Sequence, residues 1–161
     1  MLPHKGRLIG IDHGLKRIGL AVSDLSWLVA RELSILNRRS KAEDFERINR
    51  IAAEQKAVAF VVGMPYNADM PEGVHQQADT VRLWAERLAQ TSDLPIIFWD
   101  EQLTSVDAAA LARQKRRKPT DPIDDLAARL MLQSYLDALR DGLAPAPMFE
   151  SSPKKDTPDE Q

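Results

Sequence analysis

Residues 8–24, LIGIDHGLKRIGLAVSD, decide how the chain is read. Leu8, Ile9 and Ile11 make a short apolar run that ends in Asp12, Gly14 falls in the turn, and Ile18, Leu20 and Val22 alternate with smaller residues on the way back. Two such runs around a glycine-containing turn predict a β-hairpin. A carboxylate at the end of a buried strand is costly, because desolvation disfavours its charged form, so Asp12 calls for a compensating side-chain cation or metal. Lys16 and Arg17 are close enough in sequence to supply an ion pair. Asp12 also fits a plainer part, as a turn residue ahead of Gly14.

Working outward, residues 27–30 and 31–36 suggest a third short strand, RELSILN. Ser40 is placed to cap a helix over 41–55, in which Phe45, Ile48, Ile51 and Ala52 recur at helical spacing. The unbroken apolar run 57–62, AVAFVV, fits a central strand buried on both faces, closed by a loop with Gly63, Pro65 and Asn67. A second helix is expected over about 72–90, with Val81, Trp84, Ala85 and Leu88 inward. The strand PIIFW at 95–99 then leads into Asp100 and Glu101, and Thr104 or Ser105 can cap a third helix. Pro119 and Pro122 interrupt the chain before a last helix over 123–139, with Leu126, Leu130, Gln133 and Leu136 as core candidates and Gly142 as its stop.

The order β-β-β-α-β-α-β-α-α predicts an α/β fold: a mixed five-stranded sheet, a three-strand antiparallel meander plus two parallel strands, flanked by helices. A chain of 161 residues suits one domain, expected over 1–143. Residues 144–161 hold four of the ten prolines and several charges, and are expected to form a disordered tail. No internal repeat and no GxGxxG or GxxxxGK[ST] loop is present.

The absence of Cys excludes disulfides, thiolate zinc sites and a Cys nucleophile, and fits a reducing compartment. The longest apolar runs are too short to span a bilayer, and MLPHKGR lacks the apolar core of a secretory signal, so a cytoplasmic protein with no membrane partner is expected. The net charge of −2 does not by itself advertise a nucleic-acid binder. It is unevenly spread: residues 141–161 carry −3, which leaves +1 on residues 1–140. The basic residues of that body cluster at Arg38, Arg39 and Lys41, and at Lys115, Arg116, Arg117 and Lys118, as patches suited either to phosphates or to solvated helix ends.

Ligand sites in open α/β sheets form beside strand ends where the topology switches. Three acidic positions suit such a site: Asp12 at the end of the first strand, Glu101 after the PIIFWD strand, and Asp124, next to Asp125, opening the last helix. Each has an ordinary role available, since Asp in a first helical turn is favoured by the macrodipole. Converging carboxylates need a cation to hold them, and hard oxygen ligands in this number suit Mg²⁺ or Mn²⁺. Whether these three converge is not readable from the sequence. His13 alternates to the opposite strand face from Asp12. His4 and His75 read as surface residues, and Trp27, Trp84 and Trp99 as packing.

Four stretches, GIDHGLKRIGLAVSD at 10–24, VVGMPYNADM at 61–70, DEQLTSVDA at 100–108 and IDDLAARLMLQSYLD at 123–137, resemble the YqgF family, also called RuvX, of the RNase H-like fold shared with RuvC-type Holliday-junction resolvases. The resemblance covers nearly the whole folded body in the right order. It implies a metal-dependent nuclease acting at the 5′ end of pre-16S ribosomal RNA, and hence a part in ribosome biogenesis. The family's acidic positions fall on Asp12, on Glu101 of the DE pair and on Asp124 of the IDxxAA motif. The chemistry implied is phosphodiester hydrolysis at a centre of Mg²⁺ or Mn²⁺, with Asp12 bridging two ions and Glu101 and Asp124 completing their shells. Lys16, Arg17 and the 115–118 run would neutralise phosphates, while Asn67 and Thr104 stand where substrate contacts are expected.

The chain departs from the family pattern in three places. MPYNADMP keeps Asn67 but lacks the usual Gly-Thr pair, QKRRK keeps its charge but lacks Gly, and Asp125 doubles the carboxylate at Asp124. Three other functions can be set beside this one. One is a resolvase-like endonuclease on branched DNA, for which a dimer with two sites would suit two strands; the chain itself leaves monomer and homodimer open. Another is a non-catalytic RNA-binding factor in ribosome assembly or transcription. The third, an actin-like nucleotide-binding fold, needs a second half for which the chain has no room.

Overall fold

The computed structural model describes residues 6–65, 72–100 and 105–147, and of residues 72–76 and 105–108 the backbone alone. Strands β1 (Arg7–His13), β2 (Arg17–Ser23) and β3 (Ala30–Asn37) come first. Helix α1 (Lys41–Glu54), strand β4 (Ala57–Met64), helix α2 (Glu72–Ala89), strand β5 (Ile96–Asp100) and helices α3 (Ser105–Gln114) and α4 (Asp124–Arg140) follow. The five strands form one sheet in the order β3-β2-β1-β4-β5. The first three pair antiparallel, and β4 and β5 run parallel to β1, so the mixed sheet expected from the sequence is the one found. His13, Met64 and Asp100, the last residues of the three parallel strands, therefore end at the same edge.

Alternation along β1 splits the core in two. Ile9 and Ile11 join Phe45 and Ile48 of α1 and Val81, Trp84 and Leu88 of α2 on one face. Leu8 joins Met131, Leu132, Tyr135 and Leu136 of α4 on the other. The run in β4 serves both layers, Phe60, Val62 and Met64 on the first and Ala59 and Val61 on the second, which is why it lacks a polar alternation. Ser40 caps α1 in a capping box with Glu43, and Gly142 follows α4 at φ +74°, a conformation that favours glycine.

Two glycines bring α4 down onto the sheet. A Cβ on Gly10 would lie 2.9 Å from Leu132 Cβ, and one on Gly19 would collide with the Asp124 carbonyl. Gly19 is the cross-strand partner of Asp12, so the start of α4 is seated beside the end of β1.

Some boundaries differ from the sequence reading. Trp27 is not strand: it sits at φ +61° in a turn whose Leu28 and Val29 amides donate to Asp24 Oδ1, and its indole Nε1 donates to the Gly6 carbonyl at 2.8 Å. Gln133 is not a packed core residue, because its amide answers the Ala30 N–H and the Leu28 carbonyl in that same neighbourhood. Leu130 is half-buried rather than core. Residues 144–147 pack back, with the Tyr135 hydroxyl donating to the Pro145 carbonyl at 2.6 Å; residues 148–161 lie outside the described set. Among the described residues no helix is long and apolar enough to cross a membrane.

Gly19→Ala is expected to destabilise the fold by about 3 kcal/mol, because the collision is with backbone that cannot rotate away. Gly142→Ala, with open space but positive φ, should cost about 1 kcal/mol. Chemical denaturation of the two variants checks the order.

Candidate active site

Asp12 is the penultimate residue of β1 and shares the alternation of Leu8 and Gly10, so it stands on the α4 side of the sheet. There it lines a cleft of about 570 Å³ with Arg17, Arg113, Lys118, Asp121 and Asp124. Asp12 and Asp124, far apart in sequence, are thus brought to one cavity by the hairpin and the seat of α4. Glu101, Asn67 and Thr104 lie outside the described residues. The chain reaches Asp100 at the end of β5, paired in register with Met64 of β4, at the same sheet edge.

The turn of the hairpin is held from two sides. Gly14 N–H donates to the Arg17 carbonyl at 2.9 Å, and Arg38 Nη1 donates to the carbonyls of Gly14 and Leu15 at 3.0 and 3.2 Å. That turn presents Arg17, whose Nε donates to Asp124 Oδ1 at 2.9 Å. The Arg17 side chain is 38% exposed, so the pair contributes about 1 kcal/mol or less to stability, and its effect is orientation. The sequence suggested Asp12 as a partner of Arg17; in the fold Arg17 pairs with Asp124. Lys16 is exposed on the same turn and is not among the residues lining the cleft.

The adjacent acids of α4 have separate partners. Asp124 faces the cleft and Arg17. Asp125 is buried and receives a two-pronged bond from Arg117, Nη1 to Oδ1 at 2.7 Å and Nη2 to Oδ2 at 2.9 Å. Asp125 thereby raises the Arg117 pKa further above its ordinary value, more than burial lowers it. The 115–118 run is accordingly not four charges facing solvent. Lys115 pairs with Glu32 at 3.3 Å, Arg116 is exposed in a left-handed turn conformation (φ +61°), and only Arg117 and Lys118 of the four line the cleft. Arg113 and Asp121, not singled out in the sequence, line it too. The signal for Arg113 was present: it is a basic residue in the last turn of α3, just ahead of the 115–118 run.

Asp12 also borders a smaller recess of about 240 Å³ toward α2, with His13, Gly63 and Thr80. His13 lies on the opposite face from Asp12, as the alternation requires, and packs on Trp84 with ring centroids 4.7 Å apart. Burial, and next the charge of Arg38, lower its pKa to about 4.

Among the described residues no group of three or more His, Cys, Asp or Glu side chains is assembled for a metal. Asp12 and Asp124 form an all-oxygen donor pair in an open cleft, a chemistry that fits a hard divalent cation.

The architecture defines a class before any name does. The sheet and helices superpose on Thermus thermophilus RuvC, solved with a Holliday junction substrate, at a TM-score of 0.58 and 16% identity, over 89% of this chain and 99% of that one. They also superpose on the fowlpox virus resolvase, solved with Holliday junction DNA, at a TM-score of 0.52 and 12% identity, over 83% and 98%. The fold is that of the RNase H-like resolvases. The profile of the RuvX family, described as Holliday junction resolvase, matches residues 6–138, and the chain belongs to that family. It is a hydrolase acting on phosphodiester bonds. A Thermoanaerobacter pseudethanolicus protein named "Putative pre-16S rRNA nuclease" is 41% identical over 82% of this chain and 96% of its own length. A Cereibacter sphaeroides protein of the same name is 39% identical over 86% and 87%.

His13 is neutral in the folded protein down to about pH 4, whereas it titrates near 6.5 when unfolded. The unfolded state therefore takes up the proton first, and stability should fall by up to about 3 kcal/mol as pH drops from 6.5 to 4. Unfolding free energies of the parent and His13→Phe across that window check this; the variant should lose the dependence.

Proposed function

We propose that the protein is a divalent-metal-dependent ribonuclease of the cytoplasm that matures the 5′ end of pre-16S ribosomal RNA. The observation that carries this reading is the convergence of Asp12 and Asp124 on one cleft whose rim bears Arg17, Arg113 and Lys118. The name shared by the relatives supports the choice of substrate. Asp12 and Asp124, together with Glu101, which follows β5 in the sequence, would hold Mg²⁺ or Mn²⁺. When bound, the ion supplies a water of lowered pKa and charge stabilisation at the phosphate.

The remaining work falls to the chain. Arg17 keeps Asp124 oriented through Nε, and its two Nη groups have no partner among the described residues, which leaves them for phosphate oxygens. Arg113 and Lys118 offset the charge of the backbone beside the cut. Hydrolysis adds water across one P–O bond, leaving a phosphate on one fragment and a hydroxyl on the other.

Branched DNA is the second reading, favoured by the fold shared with a resolvase solved on a four-way junction. RNA and DNA offer the same phosphate, so competition at fixed salt between a pre-16S fragment and a junction separates the two.

Asp12→Asn, Glu101→Gln and Asp124→Asn are each expected to slow cleavage of a pre-16S fragment by about a hundredfold or more in Mg²⁺ or Mn²⁺, with the fold retained. If all three cut like the parent, the acidic-centre reading is wrong. Preferential cleavage of the junction would instead move the assignment to DNA.

A further inference from the structure

The segment between α3 and α4, residues 115–123, is tied down at two points by charges that a sequence reading offers to phosphate. Lys115 Nζ lies 3.3 Å from Glu32 Oε2 on the edge strand β3, and Glu32 Oε1 also receives Arg129 of α4 at 3.0 Å. Arg117 forks onto Asp125 at 2.7 and 2.9 Å and reaches the Pro122 carbonyl at 3.1 Å, closing the segment on itself. Within it, the Lys118 amide donates to Asp121 Oδ2 at 2.7 Å. Asp125 is 7% exposed, so its fork with Arg117 is far less screened than a surface ion pair.

This leaves a different set of cations for a polyanion. Arg113 and Lys118 line the cleft, and among the described residues neither the Arg113 guanidinium nor the Lys118 ammonium has an ion-pair partner. Arg117 lines the cleft as well, but its charge is already answered by Asp125.

We infer that Arg117 and Asp125, backed by Lys115 and Glu32, are positioning residues that hold the 115–123 segment as the cationic wall of the cleft, and that nucleic acid is met by Arg113 and Lys118 rather than by Arg117. The first half stands on geometry alone; the second rests on the proposed function. The inference also gives the extra carboxylate of this chain a role: Asp124 serves the cleft, and Asp125 serves its wall.

The opposite assignment predicts an opposite sign. If Arg117 bound phosphate, removing the Asp125 charge would free it and tighten binding. If the pair is a latch, the same change loosens the wall and weakens binding.

The test uses the full-length protein and a fluorescein-labelled RNA hairpin with a single-stranded 5′ extension, in EDTA so that binding is read without cleavage. Asp125→Asn is expected to raise Kd by about tenfold, and Arg117→Lys, which keeps the charge but loses the fork, to raise it in the same direction. In both, the slope of log Kd against log salt should match the parent, because no phosphate contact is removed. Lys118→Ala should instead reduce that slope by about one. Amide hydrogen exchange over 115–123 should be faster in both latch variants than in the parent. Arg117→Lys keeps the test open if Asp125→Asn does not fold.

With a parent that binds the hairpin, the inference stands only if binding weakens at an unchanged salt slope and exchange over 115–123 quickens; any other combination overturns it. If the parent does not bind, the nucleic-acid reading of the cleft fails, and exchange decides the latch by itself: unchanged protection in the variants overturns it, faster exchange upholds it.

Discussion

The close seat of α4 on the hairpin is the constraint on which the rest depends. Gly10 and Gly19 present bare backbone to the helix, and side chains there would push it away by the width of a methyl group. Because packed interiors transmit such shifts rather than absorbing them, a lifted α4 would disturb Leu132, Tyr135 and Leu136 in the core and the placement of Asp124 together. Stability and site geometry are thus carried by the same contact. The register makes the link direct: Gly19 is opposite Asp12 on one side and beneath Asp124 on the other.

The electrostatics follow from that seat. Two neighbouring carboxylates at a helix start benefit from the helix dipole but repel one another. The fold separates their tasks by giving each an arginine from a different element, Arg17 from the hairpin and Arg117 from the α3–α4 segment. Arg117 and Asp125 are the more enclosed pair, with side chains 22% and 10% exposed. Arg17 and Asp124 are the more open pair, with side chains 38% and 19% exposed. On the far face of β1, His13 sits neutral against Trp84, so the titratable residue next to Asp12 in sequence is insulated from the cleft.

Much of the fold was legible because its signals are local. Alternation in β1 and β2, the unbroken run of β4 and the helical spacing in α1, α2 and α4 each reflect one element meeting one apolar layer. Two of the misplaced details answer a distant partner. Trp27 leaves the strand because its indole satisfies the Gly6 carbonyl, and Gln133 leaves the core because its amide satisfies backbone at Leu28 and Ala30. No period in the sequence encodes either.

The same division holds for the site. The sequence by itself determined the element order, the class of fold, the family, and the types of residue that could do the chemistry, since strand-end acids and basic runs are written in order along the chain. Only the tertiary structure decided which of those charges share a cavity: Asp124 and not Asp125 faces the cleft, Lys115 turns to Glu32, Arg117 turns to Asp125, and Arg113 joins the rim. The physical reason is that hydrophobic pattern acts over a few residues, whereas an ion pair is chosen by whichever opposite charge the packed helices bring within about 4 Å.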